Sequence, residues 1–278
     1  MQNNPIVVVT GAAGGIGSKI CEVFARRGGK VWALDRNPEA LLKLAQALGA
    51  GGHSLHTSVT DITDRASLRT TRDKIYKEYG RIDVWINNAG LPGIGHFLEL
   101  SEDDFHRVVR VNFEAVVTGT RLALEVMAAQ KSGTIVNMAS VAGHIPAPYM
   151  TAYASTKHAV VGFTRALEEE LRLNGSPVRT VMVSPGFVNT PLLGNEGRKL
   201  RFPEWLRWTL GTPEAVAKSI ERAVRHRRRE IFPTWNGRFM MACHRVAPRF
   251  TVFFSRILLT SSAYNFIIHR IDNRSLSR

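Results

Sequence analysis

The stretch IVVVTGAAGGIG, residues 6–17, decides the fold. Ile6-Val7-Val8-Val9 is a short β-branched run and reads as a buried strand. It leads directly into Thr10-Gly11-Ala12-Ala13-Gly14-Gly15-Ile16-Gly17. A helical pattern follows, with Ile20, Val23 and Phe24 on one face and Gly28-Gly29 as the stop. A strand, a glycine-rich turn and a helix in that order let backbone approach a pyrophosphate, with the free N–H groups and positive dipole end of the helix facing it. Gly11, Gly14, Gly15, Ile16 and Gly17 are therefore candidate cofactor-binding residues. A second strand, Lys30-Val31-Trp32-Ala33-Leu34-Asp35, ends in an acid eighteen residues after Gly17. A dinucleotide site places there the carboxylate that binds the adenosine ribose hydroxyls.

The rest of the chain alternates strands and helices. Helical patterning covers Pro38 to Leu48, and a strand is expected over 52–56. Asp64 reads as the N-cap of a helix running to about Tyr79. A fourth strand is expected at Ile82 to Ile86, then one long helix from about Glu102 to Ala129. Strands at Gly133 to Met138 and Val178 to Val183 flank a helix from Ala152 to Leu173. A helix from Pro213 to Arg225 precedes a last strand, Glu230 to Phe232. Repeated βαβ units imply an α/β, Rossmann-like, doubly wound parallel sheet of seven strands with helices on both faces. Ligand sites in such a sheet lie at the carboxyl ends of the strands. Asp35, Asp61, the run Asn87 to Gly90, Ser140 and Pro185-Gly186 all fall at those ends or just after them.

Tyr153 and Lys157 stand four residues apart in Tyr153-Ala154-Ser155-Thr156-Lys157 and so share a helix face. An ammonium beside a phenol stabilises the phenolate and pulls its pKa down from about 10. Such a tyrosine can exchange a proton with an alcohol oxygen as a hydride leaves the adjacent carbon. An isolated match of this kind means little, since the spacing arises by chance on exposed helices. Together, TGAAGGIG at 10–17, NNAG at 87–90, Asn112, Ser140, YASTK at 153–157 and SPGFVNT at 184–190 resemble the short-chain dehydrogenase/reductase family over roughly residues 5 to 233. Gly11, Gly14 and Gly17 also fit the spacing of the family's longer, epimerase-like branch. NNAG and the short chain favour the single-domain branch of about 250 residues.

The resemblance implies a role for each residue. Tyr153 is the catalytic acid/base. Lys157 lowers its pKa and binds the nicotinamide ribose. Ser140 hydrogen-bonds the reacting oxygen, and Asn112 supports a water that relays protons from Lys157. Asn87, Ala89 and Gly90 line the adenosine and ribose path, while Asn88 ties strands together. Asp61 and Ile62 frame the adenine. Val188 and Thr190 meet the carboxamide end of the cofactor, and Pro185 and Gly186 also count among the cofactor-binding residues. NAD is expected over NADP, because Asp35 repels a 2′-phosphate and the glycine turn holds no lysine or arginine to offset this. Arg36 is the one neighbour that can reach toward a phosphate. The resemblance also implies a homodimer or homotetramer paired through the helices carrying Asn112 and Tyr153, burying residues such as Val116, Leu124 and Ala166. The alternative is a dinucleotide-binding regulatory or scaffolding protein acting through its tail; a pure binder has no need of an activated phenol.

Cys21 and Cys243 form neither a disulfide framework nor a metal pattern, which suits a reducing cytoplasm. No signal peptide precedes the first strand and no apolar run is long enough to span a bilayer. His96, His144 and His158 lack metal-ligand spacing, and His144 reads as a solvated loop residue or a substrate contact. Three variable stretches, 91–98, 141–150 and 187–208, are rich in apolar and aromatic residues, among them Ile94, Phe97, Ile145, Tyr149, Leu192, Phe202, Trp205 and Trp208. They suit an apolar alcohol or ketone: a lipid, steroid, retinoid or acyl-chain compound. The alternative is that they close a lid or a subunit interface.

The C-terminal part departs from the plain domain. A boundary is expected after Thr234, with residues 235–278 as a basic helical extension. From Arg225 onward there are eleven arginines and two acids, so +9 of the formal +14 lies there. Arg238, Arg245, Arg249 and Arg256 fall on one helical stripe beside Phe239, Met240, Met241, Val246 and Phe250, with Pro248 as a break. Three readings stay open: an anionic membrane surface, with the protein cytoplasmic or peripheral; packing on the domain or a second subunit; and nucleic acid, for which no module is visible.

Overall fold

The computed structural model describes residues 4–53, 55–190 and 209–249. The apolar residues expected at 192–208, and the tail from Phe250, which includes Arg256, lie outside them. Among the described residues seven parallel strands form one sheet in the order β3-β2-β1-β4-β5-β6-β7. These are β1 Ile6–Thr10, β2 Lys30–Asp35, β3 Leu55–Val59, β4 Val84–Asn87, β5 Gly133–Met138, β6 Val178–Val183 and β7 Glu230–Ile231. The helices are α1 Gly15–Arg26, α2 Pro38–Ala50, α3 Arg65–Tyr79, α4 Glu102–Val109, α5 Ala115–Ala129, α6 Thr151–Leu173, α7 Pro213–Arg225 and α8 Trp235–Val246.

Strand side chains alternate between two cores, as the two-residue period requires. Val7, Val9, Val31, Ala33, Val136 and Val181 pack with Ile20 and Phe24 of α1, Leu41 of α2 and Ile220 of α7. Ile6, Val8, Trp32, Leu34, Trp85 and Ile135 pack with Leu68 and Ile75 of α3 and Leu122 and Met127 of α5. Asp64 caps α3, accepting from the Ala66 amide, as expected.

Three local expectations are corrected. β3 starts at Leu55 rather than Gly52, because Gly52 takes φ +74° in the turn after α2, and the strand continues to Val59 opposite Asp35. The single long helix is interrupted between α4 and α5 by a π turn, Arg110–Glu114, in which the Ala115 amide reaches back to the Arg110 carbonyl. Asn112 sits inside that turn, fully buried. Val116, expected at a subunit contact, is buried inside the chain against Ala139, Val160 and Met182. Ala166 is exposed and Leu124 half-buried.

The expected boundary after Thr234 falls inside a tight joint. The Thr234 hydroxyl caps α8 and accepts from the Gly186 amide at 2.9 Å. Asn236 Nδ2 donates to the carbonyls of Phe187 (2.9 Å) and Thr209 (2.8 Å). A Cβ on Gly186 would run into Asn236 Oδ1. The first turns of the extension are thus built into the end of the sheet.

A buried amide network ties the sheet to α5 and α6. Trp85 Nε1 donates to Asn87 Oδ1 (2.8 Å), and Asn87 Nδ2 donates to Asn137 Oδ1 (2.8 Å) and Thr120 Oγ1 (3.1 Å). Asn137 Nδ2 donates to Thr164 Oγ1 (3.1 Å). Gly119 lets α5 approach: a Cβ there would run into Asn87 Oδ1 and stand 3.0 Å from Trp85 Nε1. Gly119→Ala is therefore expected to destabilise the fold by about 2 kcal/mol. Urea unfolding reads this as a lower midpoint, and an unchanged midpoint would contradict it.

Candidate active site

The glycine turn is shaped by close backbone contacts. Gly11 has φ +62°, and a Cβ on it would lie 2.7 Å from Ala89 Cα. A Cβ on Gly17 would run into the Gly11 carbonyl and lie 2.8 Å from Asn88 Nδ2. Gly14, at the head of α1, gives no side-chain cap, and no acid sits in the first turn. The helix dipole and its leading N–H groups are left for an anion, which fits a dinucleotide pyrophosphate. Gly15 and Ile16 open that first turn, half-buried. The Asp35 carboxylate is pinned beside the turn, accepting from the amides of Ala13 (3.0 Å) and Asn37 (3.1 Å). Arg36 is exposed next to it.

At the join of β1 and β4, Asn88 Nδ2 donates to the carbonyls of Thr10 (3.0 Å) and Gly11 (3.1 Å). The Thr10 hydroxyl in return accepts from the amides of Asn88 (3.0 Å) and Ala89 (3.3 Å). Thr10 was given no role from the sequence, although it opens the quoted motif. Asn87 needs a correction: its side chain turns into the buried amide network, because alternate strand residues face opposite sides. Ala89 and Gly90 are half-buried beside the glycine turn. Asp61 bonds the Thr63 amide (2.9 Å) and hydroxyl (2.7 Å) in the loop after β3, and Ile62 packs on the core.

Ser140, Tyr153 and Lys157 converge at the end of β5. Lys157 is 4 % exposed, donates to the Met138 carbonyl at 2.7 Å and lies 5.6 Å from the Tyr153 ring centroid. Burial lowers its pKa from 10.5 to about 8. Tyr153 differs from expectation: burial raises the phenol pKa, and Ser140 beside it pulls the other way. The ammonium, turned toward Met138, does not outweigh that burial. Ser140 opens a 3₁₀ turn, Val141–Gly143, and its hydroxyl accepts from the Ala142 amide (3.2 Å). Asn112 Oδ1 accepts from the Leu91 amide (2.7 Å), while its Nδ2 donates to the Leu91 carbonyl (2.9 Å) and Thr156 Oγ1 (3.3 Å). The side chain therefore clasps the loop after β4 to α6. Gly90 lies between Asn112 and Lys157; a Cβ there would stand 3.8 Å from Nζ.

On the other side, the Pro185 carbonyl accepts from the Val141 amide (2.9 Å). Val188 is buried and bridges to Gly211, and the Thr190 hydroxyl donates to the Val188 carbonyl (3.5 Å). His144 is not a solvated loop residue. It is half-buried, its Nε2 lies 2.9 Å from Ser184 Oγ, and its ring packs on Phe232. Burial lowers its pKa to about 4, so it is neutral at working pH.

A helix N-terminus left open behind a glycine turn, with Ser140, half-buried Tyr153 and buried Lys157 at the same carboxyl end of the sheet, fits the nicotinamide-dependent oxidoreductase class. The short chain dehydrogenase family matches residues 5–201, and the chain belongs to that family of NAD(P)-dependent oxidoreductases. It is similar to the oxidoreductase UcpA of Escherichia coli K12, with 38 % identity over 222 residues, 80 % of each chain. Its fold matches a short chain dehydrogenase/reductase from Burkholderia phymatum in complex with NAD, with TM-score 0.77, 28 % identity, and coverage of 88 % of this chain and 95 % of that one. It also matches an alcohol dehydrogenase from the archaeon Thermococcus sibiricus complexed with 5-hydroxy-NADP, with TM-score 0.71, 26 % identity, and coverage of 80 % and 91 %. Both nucleotides thus occur among its structural neighbours.

Lys157 carries a desolvated charge, and this has a measurable cost. Its folded pKa lies below the unfolded one, so the penalty is fully present below about pH 8 and fades as pH rises toward 10.5. Lys157→Met should lose turnover yet melt higher at neutral pH, by a few degrees, for a gain on the order of 1 kcal/mol. The difference should shrink at high pH. A lower melting temperature at pH 7 would refute this account.

Proposed function

We propose that the protein interconverts an apolar alcohol and its ketone, with NAD as the preferred cofactor and Tyr153 as the acid/base. The convergence of Tyr153, Ser140 and Lys157 beside the glycine turn carries this reading. A bound nicotinamide would supply the hydride chemistry, as acceptor in oxidation and as donor in reduction. The protein's own groups handle the proton and the positioning. The Tyr153 hydroxyl gives a proton to the carbonyl oxygen in reduction and its phenolate takes one from the alcohol in oxidation. Ser140 holds that oxygen in line, and Lys157 favours the phenolate and would bind the nicotinamide ribose. Asn112 holds the Leu91 loop against α6 and supports the proton path from Lys157. The phenol's raised pKa keeps its proton in place for reduction at neutral pH, and oxidation gains as pH rises.

The substrate class is inferred from the loops around this site. Ile94, Ile145, Tyr149 and Met150 lie in the two described stretches, and Tyr149 holds φ +60° while its carbonyl accepts from the Gly95 amide at 2.8 Å. This bond ties the two stretches into one apolar rim. A lipid, steroid, retinoid or acyl-chain alcohol fits such a rim, and the basic C-terminal segment would hold the enzyme beside a membrane-dissolved substrate. The active form is proposed to be a homodimer or homotetramer paired through α4–α5 and α6, and its mass in light scattering is the direct measure.

A panel of apolar alcohols and ketones, read by absorbance of the reduced nicotinamide, supplies the substrate for the decisive variants. Tyr153→Phe should lower turnover by about 10²–10⁴-fold while leaving cofactor affinity nearly unchanged. Ser140→Ala removes the group that pulls the phenol down, so the rising limb of the oxidation pH profile should move to higher pH. A Phe variant that keeps wild-type turnover would overturn the assignment. For the cofactor, the Asp35 carboxylate should make NADH bind at least tenfold tighter than NADPH in fluorescence titration, about 1.4 kcal/mol. Equal or reversed affinities would mean that Arg36 dominates.

A further inference from the structure

The two faces of α8 have opposite characters. Its inner face holds the domain: Met241 and Met240 pack with Val141, Ile145 and Phe232, directly beside the Ser140 turn. The sequence reading placed these two methionines on the outer stripe, and the structure turns them inward. Arg238, Phe239, Ala242, Arg245 and Val246 are exposed on the outer face. Phe239 is 63 % exposed and Val246 87 %. At about 100° per residue, Arg238 and Arg245 line one edge of this face, while Phe239 and Val246, with the half-exposed Trp235, line the other. Arg249 follows immediately and is also exposed. Among the described residues these three arginines form no ion pair, whereas Arg165 pairs with Glu230 and Arg229 with Glu168. From residue 231 to the C-terminus the sequence holds seven arginines and one acid, Asp272. At the same carboxyl end of the sheet, the loop after β4 exposes Phe97 and Leu98.

We propose that the outer face of α8 is a docking surface for an anionic phospholipid bilayer, and that docking brings the turn after Ser140, packed on the inner face of the same helix, close to the lipid. Unpaired arginines meet the headgroups, and Phe239 and Val246 enter the acyl boundary. The charge balance selects this occupant: a protein partner would need a matching run of acids, whereas an anionic leaflet supplies diffuse negative charge over any area. The purpose of the docking rests on the apolar-substrate reading above; the surface itself does not.

Flotation of the full chain with vesicles of phosphatidylcholine containing phosphatidylserine, against phosphatidylcholine alone, tests this. The full chain should float with the anionic vesicles at low salt and be released by high salt. Arg238→Gln with Arg245→Gln should weaken binding by about thirtyfold. Phe239→Ser with Val246→Ser should weaken it comparably. Both pairs should keep wild-type turnover on a water-soluble ketone, which shows that the fold is intact. No flotation with anionic vesicles, equal flotation with neutral ones, or full binding by both variant pairs would each overturn the proposal. A fall in assembly mass for the Ser pair would assign the face to a second copy of the chain and overturn it as well. Vesicle binding needs no turnover, so failure here leaves the proposed chemistry standing, and an inactive protein that floats leaves the surface standing.

Discussion

The site hangs from one join, where the Thr10 hydroxyl and the Asn88 amide lock the end of β1 to the end of β4. The strand order reverses there, with β2 and β3 on one side of β1 and β4 onward on the other. A crevice opens at that point in every such sheet. The two side chains exchange bonds with each other's backbone and so bring Gly11 against Ala89 and Gly17 against Asn88. Each bond contributes only about 1 kcal/mol net, but a buried donor left without its partner costs more. The glycines follow from this closeness, because the join leaves no room for a Cβ.

A second, more costly arrangement lies on α6. That helix carries Lys157 into a space from which water is largely removed and leaves Tyr153 half-buried beside it, and burial pushes both toward their neutral forms. Charge there is unfavourable until something in the site balances it. His144, which locks the turn after Ser140 to the end of β6 through Ser184, is held unprotonated by burial, with Arg165 adding to the effect. Burial of the Lys157 ammonium costs stability, as charged groups at active sites commonly do.

Much of this was legible in the sequence because it depends on local pattern. The β-branched run before TGAAGGIG, the Asp64 cap and the Tyr153/Lys157 spacing each signal their structure within a few residues. The parallel sheet with helices on both faces then follows from alternation, whereas the strand order, with β1 between β2 and β4, does not. What escaped depends on long-range packing. The π turn around Asn112 has no local marker, since its cause is the clasp on Leu91 across the fold. Asn87 stands beside Asn88 and Ala89 in one motif, yet its direction is set by the strand's pleat and its partners on β5 and α5. The phenol's pKa followed burial, which two residues on a helical wheel cannot report. The joint at Thr234 and Asn236 was hidden because its partners, Gly186 and Phe187, lie some fifty positions upstream.

That joint has an architectural consequence. Val188 bridges to Gly211, Gly211 and Phe187 exchange a backbone bond at 2.9 Å, and one amide, Asn236 Nδ2, grips both Phe187 and Thr209. The chain leaves the sheet and returns to it at two feet clamped by the same side chain. Two crossings of the chain, at Phe187 and at Thr209, therefore hang on a single amide group, so a change at Asn236 would loosen both at once.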